Sequence, residues 1–282
     1  MHRRTLLRLP ALGALAATGL SLSACGEEEP DVSNAERRRE TYGDDPSQYG
    51  ELFLPDGKPR GLVVVIHGGF WRAEYAADLG QPLAASLAEE GWAAWNLEYR
   101  RVGDGKGGGG GAPETFDDVA AGIDKLADLG LDLDLRTAPV VTLGHSAGGH
   151  LAAWAAARGR YDWPEKVKVT HVVSQAGVLD LVAAEEANLG GGAAGMLLGH
   201  NPTVADERYD PAQQLPLDVP LWCVHGSDDT IVPISQSESY VTRAAAAGAE
   251  AELVEVDGDH FTVIDVASKA WTRTLAILDA IA

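Results

Sequence analysis

Cysteine is scarce in this chain. Its 282 residues hold two, Cys25 and Cys223, too few for a disulfide framework. Basic residues are also under-represented: 22 Lys and Arg against 42 Asp and Glu give a formal net charge of −20. That balance argues against a nucleic-acid partner, which needs a basic face. It reads as solubility and self-repulsion, and it says little about a substrate. No cluster of residues has zinc-ligand spacing, so no metal is expected. Neither Gly-x-x-x-x-Gly-Lys-Ser/Thr nor a dinucleotide fingerprint occurs, so no cofactor is expected. Internal repeats and an interdomain linker are missing as well. What remains is a globular composition, 45% hydrophobic and 23% charged. A single domain of this length can bury about 70–75% of its unfolded surface.

The first residues read as an export signal. Met1 to Arg8 is basic, and Leu9 to Ser23 is an apolar, small-residue run too short for a permanent span. Arg3-Arg4-Thr5-Leu6-Leu7-Arg8 resembles a twin-arginine signal, and Leu22-Ser23-Ala24-Cys25 resembles a bacterial lipobox. Residues 1–24 are therefore expected to be removed, and Cys25 to carry the lipid. Residues 25–47 would form a polar tether and 48–282 a single folded domain. The expected location is the cell envelope, anchored on the extracytoplasmic side. Cys223 sits in an apolar run and reads as a small core residue.

Strand and helix patterns alternate along that domain. Tyr49 to Leu54 reads as an edge strand before the turn Pro55-Asp56-Gly57. Leu62-Val63-Val64-Val65-Ile66 is the unbroken β-branched run of a strand buried on both faces. Further strands are expected at 92–99, 139–143, 167–173, 220–224 and 251–256. Helices are expected near 78–90, 114–129, 151–158, 233–247 and 263–281. Gly103 to Pro113, with five consecutive glycines, reads as a flexible loop. The irregular segment 188–217 reads as a cap or lid. The pattern predicts an α/β fold, a mostly parallel central sheet flanked by helices on both faces.

Polar candidates fall at the carboxyl ends of those strands, where such sheets gather their functional loops. Gly144-His145-Ser146-Ala147-Gly148 is a G-x-S-x-G pattern, the sign of a nucleophile on a sharp strand-to-helix turn. A serine hydroxyl needs a base within hydrogen-bond reach. Of eight histidines, His260 alone follows the last strand in a short polar loop. His145 should point away from the Ser146 position, and His150 should pack beneath the turn. For the acid, Asp229 stands three residues after Gly226, with Asp228, Asp180 and Asp257 as the other candidates. The order serine, acid, histidine is that of the α/β-hydrolases. The oxyanion of an acyl-transfer transition state could be met by the Ala147 N–H and by that of Gly69 or Phe70 in His67-Gly68-Gly69-Phe70-Trp71. Each preorganised donor of this kind is worth roughly 3–4 kcal/mol.

With these pieces in hand, the chain resembles an α/β-hydrolase of the carboxylesterase and kynurenine-formamidase-like branch. The resemblance is carried by Tyr42 to Gln48, His67 to Trp71, Glu98 to Arg101, Gly144 to Leu151 and Asp259 to Phe261. His-Gly-Gly-x-Trp favours the formamidase-like branch over hormone-sensitive-lipase relatives, which usually carry a third glycine where Phe70 stands. The resemblance implies hydrolysis of a small carboxylic ester through an acyl-Ser146 intermediate. Arylformamide cleavage is the nearest alternative, with Phe70 and Trp71 flanking a pocket suited to an aromatic group. An exopeptidase and a non-catalytic hydrolase-fold binding protein remain as further readings. The expected partners are a small ester or amide and, through the lipid anchor, a membrane.

Overall fold

A computed structural model describes residues 37–282. The expected signal segment, Cys25 and residues 26–36 of the expected tether lie outside the described residues. The β-branched run forms strand β3 (Leu62–Ile66). It lies parallel to β4 (Ala93–Leu97) on one side and β5 (Val140–His145) on the other. The parallel series continues through β6 (His171–Gln175), β7 (Leu221–Gly226) and β8 (Ala251–Val256). Two antiparallel strands, β1 (Arg37–Thr41) and β2 (Tyr49–Phe53), complete an eight-stranded sheet ordered β1-β2-β4-β3-β5-β6-β7-β8.

Alternation along β3 divides the core in two, because successive strand side chains point to opposite faces. Val63 and Val65 pack with Leu83 and Leu87 of helix α1 (Gln81–Glu89) and Trp271 and Leu278 of α7 (Lys269–Ile281). Leu62, Val64 and Ile66 join the opposite core. That core includes Phe116 of α2 (Glu114–Asp124), Leu151 and Trp154 of α3 (Ala147–Ala157), and Tyr240 of α6 (Ser235–Ala246). The expected α/β architecture is present, and its parallel strands send their carboxyl ends to one edge. Cys223 is a free thiol buried inside β7, and burial pushes its pKa up to about 12.

Four sequence expectations need correction. Residues 37–47 are not tether: β1 pairs along its whole length with β2, and the Tyr42 hydroxyl donates to the Glu98 carbonyl at 2.6 Å. Arg-Arg-Arg-Glu-Thr shows no apolar alternation because an outermost strand can carry charge on its free side. For the same reason the edge is β1, and Tyr49 to Leu54 lies one strand inward. The strand expected at 167–173 runs from His171 instead, while Val167 and Val169 pack into the core from the preceding connection. Segment 188–217 contains helix α5 (Ala193–Leu198), and α4 (Leu181–Glu186) precedes it. Six residues are too few to display a helical period.

The glycine-rich stretch is the fourth. It is a hydrogen-bonded coil rather than an open loop. Arg101 N–H donates to Gly107 O at 2.8 Å, Gly110 N–H to Arg101 O at 2.7 Å, and Gly109 N–H to Gly103 O at 3.0 Å. The coil wraps the buried Arg101 side chain, which pairs with Glu98 and donates to Tyr99 O at 2.6 Å. A Cβ on Gly107 would lie 2.0 Å from an Arg101 guanidinium nitrogen, whereas one on Gly109 would meet nothing within 4 Å. Both have positive φ, +85° and +78°. Gly109→Ala should therefore cost only the left-handed backbone penalty, about 1–2 kcal/mol. Gly107→Ala should cost clearly more, because the guanidinium is pinned and cannot yield. Urea unfolding of the two variants measures the difference, and equal destabilisation would remove the claim that the coil grips Arg101.

Candidate active site

Ser146 occupies the turn between β5 and α3. Its backbone lies at φ +56°, ψ −119°, a region costly for a residue with a side chain. Two close approaches explain the flanking glycines. A Cβ on Gly144 would lie 2.0 Å from Gly148 O, and one on Gly148 would lie 2.0 Å from Ile66 O at the end of β3. The turn is held by Ser146 N–H donating to Gln175 O of β6 at 2.8 Å. Ser146 and His260 are 2% and 4% exposed, so charge developing between them is poorly screened by water.

His260 and Asp229 meet. The His260 Nδ1–H donates to Asp229 Oδ2 at 2.6 Å, and Asp229 Oδ1 accepts from the Ile231 and Val232 N–H groups at 2.8 Å each. Burial raises the Asp229 pKa, but hydrogen bonds from His225, His260 and the Val232 N–H outweigh it and hold the carboxyl below the usual range. A donor at Nδ1 leaves Nε2 with the lone pair that a general base needs. The residue before Ser146 touches His260: the His145 ring lies 4.5 Å from the His260 ring, and its Nε2–H donates to His260 O at 2.9 Å. Among the described residues the Ser146 hydroxyl makes no hydrogen bond to the His260 ring. Such contacts commonly tighten only with substrate in place.

The other candidates are engaged elsewhere. Asp180 caps α4 through the Ala183 N–H at 2.9 Å and pairs with Arg243 at 2.8 Å. Asp228 and Asp257 are exposed at the surface. His150 lies beneath the turn, as its position on α3 predicts, and its Nε2–H donates to Tyr209 O at 2.8 Å. His171 lies beside Trp222, and His200 pairs with Asp206 on the surface.

The His67–Trp71 loop lies against the nucleophile, since a Cβ on Gly68 would be 3.0 Å from Ser146 Cβ. Gly69, Phe70 and Trp71 all take positive φ, at 110°, 51° and 55°. Among the described residues, the N–H groups of Gly69, Phe70 and Ala147 donate to no protein acceptor. Ala147 also opens α3, so its N–H adds the positive end of a helix. The loop is fastened behind: Tyr99 hydroxyl to His67 O at 2.8 Å, His67 Nδ1–H to Gly68 O at 2.8 Å, and Val102 N–H to Trp71 O at 2.8 Å. Glu98 and Arg101 underpin this fastening, for Glu98 accepts from the Tyr99 N–H at 2.9 Å and an Arg101 N–H faces His67 Nε2 at 3.3 Å. In the sequence Glu98 to Arg101 carries only a family likeness. The signal for its role was a pair of charges directly after a fully buried strand.

Trp71 is not a pocket wall. It is 1% exposed and packs edge-on to His150 at 5.1 Å, in the core beneath the loop. Phe70 is half-buried beside Gly190, in the connection between α4 and α5. No group of three or more His, Cys, Asp or Glu among the described residues is placed to hold a metal. No helix among them is long and apolar enough to cross a membrane.

Three buried histidines are kept neutral. Burial is the main cause in each: His67 is lowered to about 3 with help from Arg101, His145 to about 3 with help from His260, and His150 to about 4. In the unfolded chain these rings take up protons near the ordinary value of about 6.5. Their contribution to stability is therefore complete above about 6.5 and falls as pH drops toward their folded values. Asp210, raised to about 6 by burial and by Asp180, works in the opposite sense and offsets part of this. The urea midpoint should decline from pH 7 to pH 4.5, and less steeply in His150→Phe. Identical slopes in the two proteins would contradict this account.

Comparison with known proteins places the chain. It matches the BD-FAE family over residues 51–243. It is 26% identical to esterase LipC of Mycobacterium tuberculosis over 252 residues, 74% of this chain and 55% of LipC. With the isoprenylcysteine alpha-carbonyl methylesterase ICME of Arabidopsis thaliana it shares 27% over 258 residues, 80% of this chain and 56% of that protein. The chain thus spans just over half the length of the curated relatives it matches. Among solved structures, esterase B of Lactobacillus rhamnosis superposes with a TM-score of 0.73 at 22% identity, covering 87% of this chain and 85% of that one. Esterase Est2 of Thermogutta terrifontis gives 0.67 at 22% identity, covering 89% and 92%. The sheet order, the strained turn after β5 and the match across most of the folded region lead to one conclusion: the chain has the α/β-hydrolase fold and belongs to the BD-FAE family.

Proposed function

We propose that this protein is a serine hydrolase that cleaves small carboxylic esters through an acyl-Ser146 intermediate. The observation that carries the reading is the 2.6 Å bond from His260 to Asp229 beside a serine held in a strained turn. His260 Nε2 takes the Ser146 proton as Oγ bonds to the ester carbonyl carbon. The carbonyl oxygen becomes an oxyanion, met by the N–H of Ala147 and that of Gly69 or Phe70. Collapse breaks the bond to the alcohol oxygen, which leaves with the proton from His260. Water then gives a proton to His260 as its oxygen bonds to the acyl carbon; collapse breaks the bond to Ser146 Oγ, which takes the proton back from His260 as the acid leaves. Asp229 keeps the tautomer and stabilises the imidazolium in both halves.

The esterase names of LipC and ICME and the esterase titles of the structural relatives support an ester bond as the target. The arylformamide reading loses one of its supports, because Trp71 is buried and only Phe70 is left at the surface of the loop. We also propose, from Arg3-Arg4 and Leu22 to Cys25, that the chain is exported and tethered by a lipid on Cys25. Metabolic labelling with a radiolabelled fatty acid tests the tether: label lost in Cys25→Ala supports it, and unchanged label would sink it.

Turnover of short-chain nitrophenyl esters beside N-formylkynurenine tests the substrate class. Faster ester hydrolysis is expected, and preference for the formamide would reverse the assignment. Asp229→Ala should lower kcat on the order of 10⁴-fold, as loss of a triad acid does elsewhere. Asp180→Ala should leave kcat within a few-fold. The opposite pattern would move the acid to Asp180.

A further inference from the structure

We infer that His225, outside the proposed triad, is a positioning residue that aims the Asp229 carboxylate at His260; the inference rests on the hydrolase reading above. His225 lies in β7, four residues before Asp229, and its side chain is fully buried. Its Nε2 stands 2.9 Å from Val232 O and 3.3 Å from Asp229 Oδ2. A carbonyl and a carboxylate can only accept, so Nε2 carries the proton; it is donated to Val232 O, with Asp229 Oδ2 close beside it. The other nitrogen, Nδ1, then has a lone pair, and the buried Ser237 hydroxyl of α6 donates to it at 2.8 Å. The tautomer is fixed from both sides.

This arrangement holds the acid at two points. Val232 is gripped through its carbonyl by His225, while its N–H holds Asp229 Oδ1 at 2.8 Å. Asp229 Oδ2 accepts from His260 at 2.6 Å on one side and has the His225 Nε2–H against it at 3.3 Å on the other. The last torsion of an aspartate is broad and soft, so a carboxylate does not keep its own orientation. With Oδ1 fixed by two backbone N–H groups and Oδ2 favoured on the side of the His225 N–H, that torsion is biased to one setting, and in it Oδ2 faces Nδ1 of His260. His225 touches neither the nucleophile nor any reacting atom. Its effect passes through Asp229.

Two polar replacements separate aim from mere packing. The amide nitrogen of Gln reaches the place of Nε2, while that of Asn reaches only the place of Nδ1. His225→Asn should lower kcat by roughly 10–100-fold, the scale seen when an outer partner that orients a functional group is removed. KM should stay near the wild-type value, and His225→Gln should recover most of the loss. In the resting protein the downfield proton resonance of His260 Nδ1–H should stay sharp in wild type and His225→Gln and broaden in His225→Asn. Equal kcat and equal resonances in two folded variants would overturn the proposal. Should neither fold, Ser237→Ala keeps the imidazole but frees its second nitrogen. Reduced kcat at unchanged KM then supports the proposal, and unchanged kcat overturns it. An inert wild-type protein would defeat the hydrolase reading itself, while the resonance contrast would still decide what His225 does to Asp229.

Discussion

At Ser146 the backbone enters a region that side-chain-bearing residues avoid, and the surrounding architecture keeps it there. Gly144 and Gly148 allow β5, α3 and the end of β3 to approach within distances that a single Cβ would forbid. The Ser146 N–H is tied to β6, so three neighbouring strands bear on one turn. A parallel sheet makes this possible, because its strands deliver their carboxyl ends to the same edge. The loop after β3, Asp229 after β7 and His260 after β8 lie at the same edge as the serine for that reason. Two residues of that neighbouring loop, Phe70 and Trp71, are strained as well, so the free energy stored at this edge must be supplied by the core below it.

Much of the site's polarity is spent on orientation rather than on charge. His67, His145 and His150 are buried neutral rings, each donating one proton to a carbonyl. The paired charges of Glu98 and Arg101 lie behind the His67–Trp71 loop and are wrapped by the glycine coil. Removing one member of such a buried pair leaves an uncompensated charge, so the coil and the loop stand or fall together. The same logic extends to His225 behind Asp229. A shell of fixed donors surrounds the few groups proposed to move protons.

The interior parallel strands were legible in the sequence because strands buried on both faces are written as uninterrupted apolar runs, as in Leu62 to Ile66. Ser146 and Asp229 were legible as candidates because each closely follows such a run, and His260 because it stands in a short polar loop after the last strand. The edge strand was not, since Arg37 to Thr41 meets solvent and needs no apolar residues. Five glycines read as flexibility because composition does not show the guanidinium they enclose. An aromatic residue in a strand-end loop suits a pocket wall, and only the fold shows Trp71 turned into the core. The reach from His225 to Asp229 depends on how the chain bends back after β7, which no spacing rule reports.

The central claim is that Ser146 is an activated nucleophile served by His260. A fluorophosphonate probe tests it most directly, because attack by Ser146 Oγ on phosphorus expels fluoride and leaves a covalent adduct that peptide mass spectrometry can locate. The account predicts an adduct on Ser146 in the wild-type protein, absent in Ser146→Ala and formed far more slowly in His260→Ala. A folded wild-type protein with no adduct on Ser146 would contradict it.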